Sequence, residues 1–133
     1  MPETQVFIHH DGSSRYVKTL DGAIRIGGRV QIRLRAGLNL PVERVFLYTC
    51  PDGEGQYEEM QVEAAKEPCR WWSVHLPIQM PLTGYRFLIL MDGSPYWYNA
   101  AGLHASMVTD QDDFRLLAEF LSADWVTRSV FYQ

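Results

Sequence analysis

Turn-forming residues break this chain at short intervals: Asp11-Gly12, Asp21-Gly22, Gly27-Gly28, Pro51-Asp52-Gly53, Pro68, Pro81, Asp92-Gly93 and Ala101-Gly102. Glycine reaches backbone conformations other residues avoid, and proline fixes φ, so each of these positions marks a reversal or a break. The runs between them are short and rich in Val, Ile, Leu, Tyr, Phe and Trp. Short β-prone runs at this spacing specify an all-β sandwich or barrel.

Alternation assigns faces to these runs. In residues 30–35, Val30, Ile32 and Leu34 point one way and Gln31, Arg33 and Arg35 the other, which is a strand with one buried and one wet face. Residues 5–9 and 15–20 read as the strands before it. Residues 44–50 follow, with apolar side chains on both faces. Residues 58–64 alternate with Met60, Val62 and Ala64 inward. Residues 70–77 place Trp72, Val74 and Leu76 on one face, and Trp71, Ser73 and His75 on the other. Residues 84–91 are apolar on both faces, Asp92-Gly93-Ser94 turns the chain, and residues 95–99 return as a hairpin partner. Val30, Ile32, Leu34, Trp72 and Val74 share a phase and are expected in one core. Towards the end, Phe114, Leu117, Ala118 and Leu121 sit at helical spacing behind a capping Asp112 or Asp113, while Phe114, Leu116 and Ala118 alternate as a strand. The local pattern leans to the helix.

The chain has 133 residues, enough for one domain with its own core, with 47% hydrophobic and 21% charged residues. Its net charge of −4 argues against nucleic acid and against an anionic membrane surface as partners. The start MPETQVFIHH lacks the basic and apolar regions of a signal peptide. The two cysteines, Cys50 and Cys69, lack metal-ligand spacing and read as free thiols, pointing to the cytoplasm with a secreted protein left open.

No constellation for catalysis emerges, and no catalytic residue is assigned. A glycosidase needs two carboxyl groups facing a sugar cleft; Asp110, Asp112 and Asp113 cluster but read as a solvated loop. Calcium is the one cation such a loop would favour, and otherwise no cofactor is expected. The four histidines, His9, His10, His75 and His104, have no zinc-ligand spacing, so no metal site is assigned. The informative set is aromatic: Trp71, Trp72, Tyr96, Trp97 and Tyr98. Flat aromatic rings bury the apolar C–H faces of sugars, but they also fill cores and interfaces. Alternation puts Trp72 in the core and turns Trp71 outward, and it separates Tyr96 and Tyr98 from Trp97. Trp71, Trp97, Tyr96 and Tyr98 are the candidate glycan contacts, with an interface as the competing role.

The end of the chain adds a resemblance. Ala123-Asp124-Trp125-Val126 followed by Val130-Phe131-Tyr132-Gln133 resembles the junction in the α-amylase superfamily, where a P-D-W-V turn leads into V-x-Y-Q-I-F-P, the first strand of the catalytic TIM barrel. Ala123 stands in place of the proline. Residues 30–35 are similar to the L-H-L-R-L-R strand of the domain that precedes that barrel. Arg44-Val45-Phe46-Leu47-Tyr48 resembles its V-x-L-x-Y/F strand, Arg70-Trp71-Trp72 its D-Y-W segment, Tyr85-Arg86-Phe87 its Y-x-F strand, and residues 96–102 its Y-Y-N-x-x-G. The implied group is that of the neopullulanases, cyclomaltodextrinases and maltogenic amylases.

The resemblance implies an immunoglobulin-like, two-sheet antiparallel β-sandwich over residues 1–122. Residues 123–133 would be a connector and the first strand of a barrel whose catalytic carboxylates lie beyond Gln133. It makes residues 113–117 a last strand, against the helical reading. It implies a non-catalytic accessory domain with two protein partners, its own barrel and a second subunit of a homodimer, serving domain packing, dimerisation and shaping of the substrate cleft. Trp125 would sit at the seam with the barrel, and Phe46 and Tyr48, with Leu88 and Leu90, would supply interface. The alternatives are a true starch or maltooligosaccharide-binding module, with α-glucan as partner, and an unrelated immunoglobulin-like interaction domain.

Overall fold

A computed structural model describes residues 7–19, 23–37, 40–50, 54–63 and 69–118. Among the described residues, eleven strands form two antiparallel sheets that pack as an immunoglobulin-like sandwich. The first sheet contains β1 (Ile8–His9), β2 (Val17–Lys18), β3 (Arg29–Gly37), β6 (Gln61–Val62) and β7 (Cys69–Pro77). β1 and β2 follow one another along one edge of β3, and β7 then β6 continue from its other edge. The second sheet runs β10 (Gly102–His104), β9 (Ser94–Asn99), β8 (Leu82–Met91), β4 (Val42–Thr49) and β5 (Gln56–Glu59). β11 (Phe114–Leu117) also pairs with β8, ahead of β9 on the same edge.

The alternation of β3 explains the core. Val30, Ile32, Leu34 and Ala36 are each 1% exposed or less, and Trp72 on β7 sits opposite Leu34 at 5%. Val74 is half-buried and packs against the same cluster. Val45, Leu47, Tyr85, Phe87 and Ile89 of the second sheet close the core from the other side. Between β8 and β9, Asp92 (φ 54°) and Gly93 (φ 78°) make a two-residue hairpin turn. Positive φ at both central positions matches the right-handed twist of the flanking strands, and Asp-Gly tolerates it.

Two segments depart from the local reading. Residues 58–64 are not one strand: β5 pairs with β4 in the second sheet, and β6 pairs with β7 in the first. The chain changes sheets at Met60, whose N–H donates to the Val45 carbonyl and whose side chain is 1% exposed. Val62 therefore lies outward at 47% exposed, opposite to its expected face. Residues 114–117 form a strand, as the family resemblance implies and the helical spacing did not. Leu82–Tyr85 of β8 offers an open edge there, so β11 gains ladder hydrogen bonds while Phe114 and Leu116 turn towards the core. The expected connector, seam and first barrel strand at residues 123–133, Trp125 included, and the Ala64 side chain lie outside the described residues.

Candidate functional site

The outer face of the second sheet carries the chemistry most suited to a partner. Register lines its side chains up in rows, because cross-strand neighbours on one face of a sheet stand about 5 Å apart. Tyr57, Tyr48 and Arg86 form one row on β5, β4 and β8. Glu59, Phe46, Leu88 and Trp97 form the next, and Arg44, Leu90 and Pro95 a third. A bulge between Val42 and Arg44 turns both Glu43 and Arg44 out to solvent.

At the centre the rings touch. Tyr48 lies 4.9 Å from Tyr57 and 5.7 Å from Trp97, the latter edge-on at 88°. The Arg86 guanidinium sits 4.7 Å from the Tyr48 ring centroid and 5.8 Å from that of Trp97. Its Nη1 donates to Asp113 Oδ1 at 3.2 Å, and its Nε is buried with no hydrogen-bond partner. Both side chains are nearly closed off from water, Arg86 at 7% and Asp113 at 10%. Burial raises the Asp113 carboxyl above its ordinary range, and the Arg86 charge only partly offsets this. Beside the pair opens a cleft of about 390 Å³ lined by Thr49, Cys50, Gly84, Asp110 and Arg115 among others. At the rim, Arg44 holds Glu59 through two hydrogen bonds of 2.9 Å and lies over Phe46.

The four candidate sugar contacts fall in different places. Trp97 is on this face but 7% exposed, with Tyr48 and Tyr57 around it. Tyr98 points inward, at 9%, and its hydroxyl accepts from the His10 backbone N–H. Tyr96 is half-buried against the core. Trp71 is on the opposite sheet, half-buried, with the Arg33 guanidinium 3.9 Å from its ring centroid and Tyr16 at 5.2 Å. Of the two residues proposed for an interface on this sheet, Phe46 and Tyr48 are both half-buried and lie beside Leu88. The open ring is that of Tyr57, 49% exposed, which sequence reasoning missed. The signal was its place one residue before Glu58, in the run that pairs with Tyr48.

Asp110 and Asp112 belong to a short 3₁₀ turn capped by Thr109, and Asp113 turns away to Arg86. Among the described residues, no three His, Cys, Asp or Glu side chains gather as cation ligands would. Cys50 is exposed and Cys69 buried, both as free thiols.

No family model and no curated protein sequence matches the chain. Solved structures do. A cyclomaltodextrinase superposes with a TM-score of 0.69 at 16% identity, over 90% of this chain and 21% of that one. A maltogenic amylase from S. marinus gives 0.62 at 14%, over 88% of this chain and 15% of the enzyme. A type III pullulan hydrolase from Thermococcus kodakarensis gives 0.53 at 17%, over 90% and 18%. At these identities the likeness is one of fold, and the chain spans about a fifth or less of the structures it matches.

Proposed function

We propose that this sandwich is a non-catalytic accessory domain of an enzyme acting on α-glucans, of the α-amylase superfamily. On this reading the outer face of its second sheet packs on the catalytic barrel or a second subunit and helps shape the substrate cleft. The observation that carries the reading is the fold match: nearly all of this chain superposes on a small part of three enzymes of that kind. The strip formed by Phe46, Tyr48, Tyr57, Leu88 and Leu90 supports it, since apolar rows with an Arg–Glu rim have the anatomy of an interface. A reading frame that continues past Gln133 for a barrel length, with a product that hydrolyses maltooligosaccharides or pullulan, is the expected result. In that product Leu88→Asp should loosen the domain or subunit contact while leaving the fold of the isolated chain intact. A stop codon at that point, or an inert product, refutes the proposal.

A direct glucan-binding role is the second reading, and Tyr57 is the ring that favours it. One open ring contributes on the order of 1 kcal/mol beyond area burial, too little to order a flexible oligosaccharide. Calorimetry with maltooligosaccharides should therefore give a dissociation constant weaker than about 100 μM. Tighter binding that disappears in Tyr57→Ala would make this chain a glycan-binding module instead.

A further inference from the structure

We propose that the outer face of the first sheet holds a binding site for a tetrahedral oxyanion of the phosphate class, built by Lys18, Thr19, Arg29, Gln31 and His75. These five residues line an open cleft of about 410 Å³. Register brings them together: Lys18 on β2 and His75 on β7 are the cross-strand neighbours of Gln31 on β3, one on either side. Arg29, two residues before Gln31, shares its face about 6.7 Å along the strand. Among the described residues the lining offers an ammonium, a guanidinium, an amide and an imidazole, and no carboxylate.

Two further observations point to an anion. Thr19 lines the cleft with its hydroxyl buried beneath the surface, without a hydrogen-bond partner among the described residues, a donor left over. Among the described residues, a carboxylate that feels Lys18, Glu63, is already committed: both its oxygens accept from Arg33, at 2.9 and 3.0 Å. The surrounding field has the same sign. Arg15, Lys18, Arg29, Arg33 and Arg35 crowd this side of the sandwich against Asp11 and Glu63, in a chain whose net charge is −4. Clustered cations raise the local concentration of anions. The donors come from three strands around a concavity. A planar carboxylate offers its oxygens in one plane, whereas a tetrahedral dianion has an oxygen for each direction.

The test titrates the full chain with inorganic phosphate and, separately, with glycerol phosphate, following amide shifts by NMR at constant ionic strength. Saturable shifts at Lys18, Gln31 and His75 are expected. Lys18→Ala and Arg29→Ala should each weaken binding about tenfold, as loss of a charge-assisted hydrogen bond does. Arg44→Ala, on the opposite sheet, should leave it unchanged. Both free and esterified phosphate binding support the site, and the tighter of the two identifies its source. Absence of saturable shifts up to about 20 mM phosphate, beyond the millimolar range of a weak site, overturns the proposal. So does equal weakening by Arg44→Ala, or binding of a long polyanion without any binding of phosphate.

Discussion

Acidification from about pH 6.5 to about pH 4 will remove roughly 3 kcal/mol of folding stability through one side chain, His10. The ring is 2% exposed, among Tyr16, Tyr85, Phe87 and Phe114, all with centroids within 5.8 Å. Its hydrogen bonds select one neutral tautomer. Nδ1 lies 2.7 Å from the Arg33 carbonyl, which can only accept, so Nδ1–H donates. Nε2 lies 2.7 Å from the Tyr85 hydroxyl and accepts a hydrogen bond from it. Burial lowers the imidazole to about 4 from 6.5; the Arg33 carbonyl and Asp11 oppose the shift, and His9 adds to it. Burial also pushes the Tyr85 phenol up, keeping the donor to Nε2 protonated.

The sign follows from the proton count. Between the two pKa values the unfolded chain binds a proton that the folded chain refuses, so stability falls as the pH falls through this window and levels off below about 4. The Asp11 carboxyl, drawn down to about 2 chiefly by hydrogen bonds from Ser13, releases its contribution only at lower pH. Asp113, raised by burial, has the opposite sign and regains stability on acidification. Urea unfolding of the chain should show the midpoint dropping across this range, with an unchanged slope. His10→Gln, whose amide can still donate to Arg33 and accept from Tyr85, should flatten most of the pH dependence. A wild-type midpoint constant from pH 6.5 to pH 4 would contradict the burial of a neutral His10.

His10 also shows what the sequence could and could not reveal. Faces were legible, because alternation is local: Val30, Ile32, Leu34 and Trp72 went inward as their phase required. Coverage was not legible. Alternation turned Trp71 outward and put Trp97 on the face opposite Tyr96 and Tyr98, but the groups that meet them, Arg33 and Tyr16 in one case and Tyr48 and Tyr57 in the other, come from other strands. His10 reads locally as a polar residue before a turn; its partners lie at positions 33, 85, 98 and 114. Val62 failed for a further reason: a period of two continues through Met60 while the strand changes sheets, and nothing local marks the exchange. The net charge averaged two unlike faces and concealed the cationic side of the first sheet.

Asp113→Ala is expected to cost about 3 kcal/mol at neutral pH, more than either group's hydrogen bond alone would suggest. The reason is what the substitution leaves behind. Arg86 is 6% exposed, its Nε already lacks a partner, and the rings of Tyr48 and Trp97 cover it. Without Asp113 a buried guanidinium would lose the carboxylate bonded to it, and it cannot shed its proton to escape. The pair is nonetheless a poor source of stability. Desolvation outweighs the attraction at Asp113, as its raised pKa records, and the single contact at 3.2 Å lacks the paired hydrogen bonds that the Arg33–Glu63 bridge has. Replacing both partners with apolar side chains of similar size should therefore recover most of the loss. The double variant Arg86→Met, Asp113→Leu should fall within about 1 kcal/mol of the original chain, and the double-mutant cycle should show strong coupling. Thermal and urea unfolding of the four proteins in the cycle decide the matter. Additive losses would mean that water reaches the pair freely, and the outer face of the second sheet would then lack the closed, charged centre described for it.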